Sequence, residues 1–396
     1  MYQRTVLQDI KQRIFEPRKF IQVLVGPRQV GKTTLIKQLL QQISMEYYFV
    51  TADDLYTVDS TWIRKEWNNA RLRLEQSVQK ELLFVIDEIQ KVPNWSEVIK
   101  KEWDTDSFSD VNIKVILLGS SRLLIQKGLT ESLAGRFELI NITHWSFDEM
   151  HNAFGWDINQ YIYFGGYPGS ASLITNEERW KNYIRESLVE TSIAKDILMM
   201  TRVDKPVLLK RLFEIGCRYS SQILSLTKLQ GELQESGNLT TLSGYLNLLK
   251  ETGLLSGIEK YAKSLIRKRS SKPKFLVHNN ALLSVVQEVD FETVKKNPKE
   301  WGRFAESAVG AHLINSSIKS NFNVYYWNNS SYEVDFVIEK NDKIIALEVK
   351  SGHDNYSKGL ALFDKEFQPY KVFLVGTDGI SFAEFLKLNP LELFNM

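Results

Sequence analysis

Gly26-Pro27-Arg28-Gln29-Val30-Gly31-Lys32-Thr33, followed by Thr34, is the stretch that decides how the first third of this chain is read. It satisfies every fixed position of the pattern GxxxxGK[ST]. An apolar run, Phe20-Ile21-Gln22-Val23-Leu24-Val25, leads into it as a buried strand. Leu35, Ile36, Leu39 and Leu40 lead out of it at helical spacing. Strand, glycine-rich turn and helix in that order turn backbone N–H groups inward at a helix N-terminus, which makes an anion nest. Residues Gly26 to Thr34 then form a cradle for the phosphates of a nucleoside triphosphate. Lys32 reaches the β- and γ-phosphates, and Thr33 offers its hydroxyl to Mg2+.

A second buried strand, Leu82-Leu83-Phe84-Val85-Ile86, ends in Asp87-Glu88. In a parallel sheet it is expected beside the loop-bearing strand, with its C-terminal end toward the phosphates. Asp87 would hold the Mg2+, and Glu88 would act as general base on the attacking water. A third strand, Lys114-Val115-Ile116-Leu117-Leu118, ends in Gly119-Ser120-Ser121. At this point the chain resembles an AAA+ ATPase, whose third diagnostic strand ends in a polar sensor; the resemblance gives that role to Ser120. It also places an arginine finger, acting on a neighbouring copy, at the end of the helix before the fifth strand. Arg136, in Leu133-Ala134-Gly135-Arg136, occupies that place and implies a homo-oligomer. The short helices that follow, with a capping box at Ser146 and Glu149 and a break at Gly165-Gly166-Tyr167-Pro168-Gly169, would form a helical lid.

Composition bounds the rest. With 396 residues the chain exceeds one ordinary core, and at 43% hydrophobic and 25% charged it is globular in character. A formal net charge of +2 means that any nucleic-acid surface is local. The single cysteine, Cys217, excludes an internal disulfide framework and suits a reducing cytoplasm. No apolar stretch approaches the roughly 20 residues of a membrane span, so no membrane partner is expected. The histidines show no zinc spacing.

From Val207 the pattern becomes three short amphipathic helices and then two strand-like runs, Leu254 to Tyr261 and Lys274 to Val277. Helix, helix, helix, hairpin is the winged-helix order. Between the two runs Lys263, Arg267, Lys268, Arg269 and Lys272, with Lys274 beyond, gather without an intervening carboxylate, which suits contacts to DNA phosphates.

The last strong signal is Tyr332-Glu333-Val334-Asp335-Phe336-Val337-Ile338-Glu339, a turn at Asn341-Asp342, and Ile344-Ile345-Ala346-Leu347-Glu348-Val349-Lys350. A two-residue hairpin loop pairs Lys340 with Lys343 and sets Asp335 opposite Glu348, with Lys350 on the same face. Val334, Phe336 and Ile338 then share the apolar face with Val349, Leu347 and Ile345. Facing carboxylates repel unless a cation lies between them, and Mg2+ or Mn2+ fits. This arrangement resembles the PD-(D/E)XK nuclease core. The resemblance adds Glu306, on the helix that opens at Trp301, to the set Asp335, Glu348 and Lys350.

End to end, the chain looks like the AAA-type ATPases with a C-terminal DUF4143 domain. The residues that carry this are 26–34, Asp87-Glu88-Ile89-Gln90, Gly119-Ser120-Ser121, Leu133-Ala134-Gly135-Arg136, Gly165-Gly166-Tyr167-Pro168, Glu333-Val334-Asp335-Phe336 and Glu348-Val349-Lys350-Ser351. His278-Asn279-Asn280 departs from the Asp-Thr-Gly-like turn of relatives. The expected architecture is α/β: a doubly wound P-loop AAA+ core over 1–145, a helical lid over 146–205, a winged-helix domain over 206–290 and a restriction-endonuclease-like domain over 291–396. The expected activity is ATP hydrolysis coupled to a DNA-acting, metal-dependent nuclease-like domain. The alternative is an ATPase switch whose C-terminal domain is a catalytically inactive binding module.

Overall fold

The apolar run that enters the loop folds as a strand. In the computed structural model Ile21–Val25 is β1, and the helix Lys32–Leu40 starts directly after Gly31. The structure describes residues 2–54, 59–119, 125, 129, 132–198, 203–233, 238–263, 271–329, 331–352 and 358–396. Ser120, Ser121, Arg267, Lys268 and Arg269 lie outside the described residues. The chain divides into two compact units, residues 1–142 and 143–396.

The first unit is a five-stranded sheet in the order β2-β3-β4-β1-β5, with every neighbouring pair parallel. Its strands are β1, β2 (Glu46–Thr51), β3 (Leu82–Asp87), β4 (Ile113–Gly119) and β5 (Phe137–Asn141). The central strands read as continuous apolar runs because both faces are covered. Alternate residues nevertheless serve different cores. Val23, Phe84 and Leu117 face a cluster with Trp67 and Trp103, from the helices Ser60–Gln76 and Trp95–Phe108. Leu24, Val85 and Leu118 face a cluster with Leu7 and Ile36, from the helices Val6–Phe15 and Lys32–Leu40. This is the expected doubly wound arrangement. One expectation is corrected: β3 is not beside β1, because β4 lies between them. Apolar runs reveal which strands are buried, not their order. With β4 inserted, Gly119 pairs with Val25 and the end of β4 adjoins the loop.

The second unit carries one large core that runs from Phe147 to Leu393, and the boundaries expected near 205 and 290 fall inside it. Its middle holds the helices Pro206–Arg218, Leu226–Glu232 and Leu239–Glu251, then the antiparallel pair β6 (Leu255–Ile258) and β7 (Lys274–Val277). The capping box of Ser146 and Glu149 is present. Cys217 is a buried core residue.

The His278-Asn279-Asn280 turn is a polar hub inside this core. Asn279 Oδ1 accepts from the N–H groups of Gly166 and Ala281 (3.0 and 3.1 Å), while Asn280 donates to the carbonyls of Ile162 and Phe304. A Cβ at Gly165 would lie 1.9 Å from Asn279 Oδ1, and one at Gly166 would lie 2.1 Å from the Trp145 carbonyl oxygen, so this close approach requires the glycine pair.

His278 is buried and its Nε2 meets Ser256 Oγ at 2.6 Å; burial, with His144 and Lys250, pushes its pKa down to about 3. His312, held through Nε2 to the Leu388 carbonyl, is pushed down by burial to about 4. Both are neutral when folded and take up a proton near pH 6.5 when unfolded. Their stabilisation is therefore complete above pH 6.5 and falls away as pH drops toward the folded values. Between pH 7 and pH 5 each should cost about 2 kcal/mol of stability. Denaturant unfolding of the second unit at the two pH values checks this, and the pH dependence should shrink in His278→Gln.

The C-terminal part of the unit is a four-stranded sheet, β11-β10-β9-β8. It comprises β8 (Asn323–Asn329), β9 (Tyr332–Lys340), β10 (Lys343–Lys350) and β11 (Lys371–Gly376). The helices Pro298–Ser320 and Lys358–Phe367 pack with it. The β9–β10 hairpin has the predicted register: Lys340 pairs with Lys343, Ile338 with Ile345 and Phe336 with Leu347. Asn341 and Asp342 both take positive φ (48° and 64°), the signature of a type I′ turn.

Candidate active site

The phosphate loop has the backbone of a nest. Gln29 and Gly31 take left-handed φ values of 61° and 86°. Gly26 is required by close approach, since a Cβ there would lie 1.9 Å from the carbonyl oxygen of Ile142. Arg4, buried, donates to the Val30 carbonyl at 3.2 Å and braces the loop from the N-terminal segment; sequence reasoning gives Arg4 no role. The Lys32 ammonium donates to the carbonyls of Gly26 and Pro27, each at 2.8 Å, and so lies across the loop.

Asp87, at the end of β3, accepts from Thr33 Oγ1 at 2.9 Å, so the two strand ends converge although β4 separates their strands. Two adjacent oxygen donors, one a carboxylate, form a hard ligand set that fits Mg2+. Asp87 and Thr33 are the residues that would hold it, and the ion would neutralise phosphate charge.

Glu88 follows in left-handed backbone (φ 53°), a strained conformation that clusters at active sites. Its N–H donates to Asp87 Oδ1 and its carboxylate accepts from the Gln90 amide. Burial, with Asp87 and Asp53 adding and Lys32 and Arg28 opposing, raises the Glu88 pKa above the usual glutamate value. A raised value makes it a better proton acceptor.

Arg136 does not stand free. Its Nε and Nη2 meet Asp104 Oδ1 and Oδ2 at 2.7 and 3.0 Å, a bidentate bridge to the helix Trp95–Phe108. It directly precedes β5, and its carbonyl accepts from Ile21 N, so it sits at the end of the sheet away from the loop. It therefore cannot reach phosphates in its own chain, and a role in a neighbouring copy would require release from Asp104.

In the second unit, Lys274 reverses the reading of its sequence neighbourhood. It is not part of a basic wing. It lies on β7, fully buried, and its ammonium meets Glu306 at 2.6 Å, Glu333 at 2.8 Å and Asp335 at 3.7 Å. Burial alone would lower its pKa, but Glu306, Asp335 and Glu333 together raise it, so it stays charged. Burial raises the Glu306 pKa, with Lys274 opposing and Asp335 adding. The cation among these carboxylates is thus a side chain of the protein itself. Among the described residues, no group of three or more His, Cys, Asp or Glu is arranged to hold a metal ion.

The facing of Asp335 and Glu348 is also corrected. Regular β9–β10 pairing stops at Phe336 and Leu347, and Asp335 Oδ2 instead accepts from Val349 N at 2.7 Å. The cause is a bulge between β8 and β9: Tyr325 pairs with Val337, but Trp327 pairs with Val334. One extra residue re-aims the strand. Val334 accordingly packs with Val337 and Phe363, not with Phe336. Glu306 and Asp335 meet around Lys274, whereas Glu348 pairs with Lys350 at 3.2 Å.

Three stretches of the chain match family models. Residues 18–151 match the model of an AAA domain, residues 155–293 a domain of unknown function (DUF8612), and residues 301–393 a domain of unknown function (DUF4143). An uncharacterized protein of Haemophilus influenzae is 24% identical over 358 residues, covering 85% of this chain and 83% of its own. Another, of Methanocaldococcus jannaschii, is 22% identical over 387 residues, covering 93% and 83%. Among solved structures, the Walker-type ATPase of Pyrococcus abyssi superposes with a TM-score of 0.50 at 14% identity, over 72% of this chain and 96% of its own. The chain thus holds an AAA domain, with a fold shared by the Pyrococcus abyssi structure, and a DUF4143 domain toward its C-terminal end. Among the described residues, no helix is long and apolar enough to cross a membrane.

Proposed function

We propose that the protein is an ATP-hydrolysing switch whose nucleotide state governs a nucleic-acid-binding second unit. The observation that carries this reading is the convergence of Lys32, Thr33, Asp87 and Glu88 on one loop, with Thr33 and Asp87 2.9 Å apart. Bound there, Mg2+ would neutralise charge on the triphosphate. The loop N–H groups and Lys32 bind and orient the phosphates, and Glu88 takes a proton from the attacking water at its carboxylate. Ser120 is assigned as the polar sensor at the end of β4. The helices 206–251 and the hairpin β6–β7 are read as a winged helix, with Lys263 and Lys272 among its described cations; the coupling implies that nucleic acid changes ATP turnover.

The C-terminal domain is read as a binding module, because Lys274 already neutralises Glu306 and Asp335. A metal-dependent nuclease is the second reading. In its favour, a helix-borne glutamate, Glu306, does end beside Asp335, and Glu348 and Lys350 stand at the end of β10. The two separate in one assay of the full chain with single-stranded, duplex and branched DNA and RNA. The switch reading expects nucleic acid to change phosphate release, with no strand cleaved in Mg2+ or Mn2+. Cleavage that disappears in Asp335→Ala would overturn it in favour of the nuclease.

A further inference from the structure

A cavity of about 720 Å3 opens where the segment 260–263, residues 271 and 272, the end of β8 and the helix Lys358–Phe367 come together. Its volume falls within the roughly 300–1,000 Å3 of ligand sites. Resting on the nucleic-acid reading above, we infer that this groove binds single-stranded nucleic acid, with an unpaired base laid on Phe367 and phosphates met by Lys260, Lys263 and Lys272.

The charges in this groove are mounted on pinned backbone. Tyr261 N donates to the Tyr326 carbonyl at 2.6 Å, and Tyr326 N to that of Glu259 at 3.2 Å, which joins the segment to β8. Lys260 N donates to Ser271 Oγ at 3.0 Å, and the Tyr326 hydroxyl donates to the Lys272 carbonyl. The described lining residues carry three lysines against one carboxylate, Glu366. Such convergence on an ordered base suits a polyanion that tracks along the groove.

The aromatic component is equally fixed. Phe367 stacks on Phe363 with ring centroids 4.7 Å apart, and Tyr261 and Trp327 hold it edge-on at 5.2 and 6.2 Å. The ring remains half-buried and lines the cavity, and the Lys263 ammonium lies over it, 5.7 Å from its centroid, so a base laid on the ring displaces this ammonium toward the adjoining phosphate. A rigid aromatic face beside a cation is the element that binds bases without regard to sequence. Bases inside a duplex are already stacked and cannot lie on it. Asn328 and Asn329, also in the lining, add amide donors and acceptors for a base edge.

The test uses fluorescence anisotropy of the full chain with labelled oligothymidylate, a duplex of equal length, and poly-glutamate. Wild type should prefer the single strand. Lys263→Glu/Lys272→Glu should weaken binding at least tenfold and flatten the salt dependence by about 0.7 for each phosphate no longer neutralised. Phe367→Leu keeps the packing on Phe363 and should weaken single-strand binding by about 5- to 150-fold, leaving duplex binding unchanged. Thermal unfolding confirms that each variant is folded. Equal binding of poly-glutamate would mark an acidic protein partner and overturn the inference, as would single-strand binding unaffected in the variants. Duplex binding without single-strand binding would overturn the inference alone. Binding of no nucleic acid would remove the nucleic-acid reading with it.

Discussion

Glu88→Gln is expected to abolish most ATP turnover while leaving nucleotide binding intact. Glutamine keeps the size of the side chain and a hydrogen-bonding partner for Gln90, so the strained turn after β3 should persist. It cannot accept a proton from water. General-base contributions are typically about 10²–10⁴-fold, and a loss in that range is predicted for steady-state phosphate release. Binding of Mg2+ and ATP, measured by a fluorescent analogue, should change little, because Lys32, Thr33 and Asp87 remain. In the wild type the raised Glu88 pKa also fixes the sign of the pH response. Activity should rise with pH as the carboxylate ionises, and Glu88→Gln should lack that limb. Wild-type turnover in Glu88→Gln would remove this residue from the mechanism.

Lys274→Met should strongly destabilise the second unit. The methionine fills most of the volume but leaves Glu306, Glu333 and Asp335 without their shared cation. Breaking a buried ion pair from one side costs about 3–5 kcal/mol, because the remaining charge stays desolvated. With the cation gone, Glu306 loses the charge that opposes the effect of its burial, and its folded pKa rises further. This adds a contribution that falls as pH increases, opposite in sign to that of His278 and His312, so the gain in stability from pH 5 to pH 7 should be smaller in the variant than in the wild type. Adding Glu306→Gln should recover part of the loss. Denaturant unfolding of the single and double variants checks both statements; a Lys274→Met protein as stable as wild type would show that the cluster is not held by this lysine.

Much of the first unit was legible in the sequence because its elements are locally determined. Gly26, Gly31, Lys32 and Thr33 sit at fixed spacing, and β3 ends in Asp87-Glu88 as a short-range pattern. Strand order was not legible, since the insertion of β4 between β1 and β3 depends on long crossover connections. The hairpin register was legible too, because the alternation of Ile338, Phe336, Ile345 and Leu347 and the turn at Asn341-Asp342 agree.

The pairing of the acidic cluster with Lys274 is not legible in the sequence, for a physical reason. A lysine beside a basic stretch looks solvated, and only tertiary folding brings β7 against Glu306 and Asp335. One signal was present: Lys274 opens the apolar run Lys-Phe-Leu-Val, where a charge needs a carboxylate partner if buried. The bulge at Trp327 and Val334 left no comparable mark, since no glycine or proline announces it.

Phosphate release by the purified full chain with Mg2+ and ATP tests most directly whether the loop at residues 26–33 powers this protein by ATP hydrolysis. Turnover is predicted in the wild type and should disappear in Lys32→Ala. Full activity in Lys32→Ala, or a correctly folded wild type that releases no phosphate with or without nucleic acid, would contradict it.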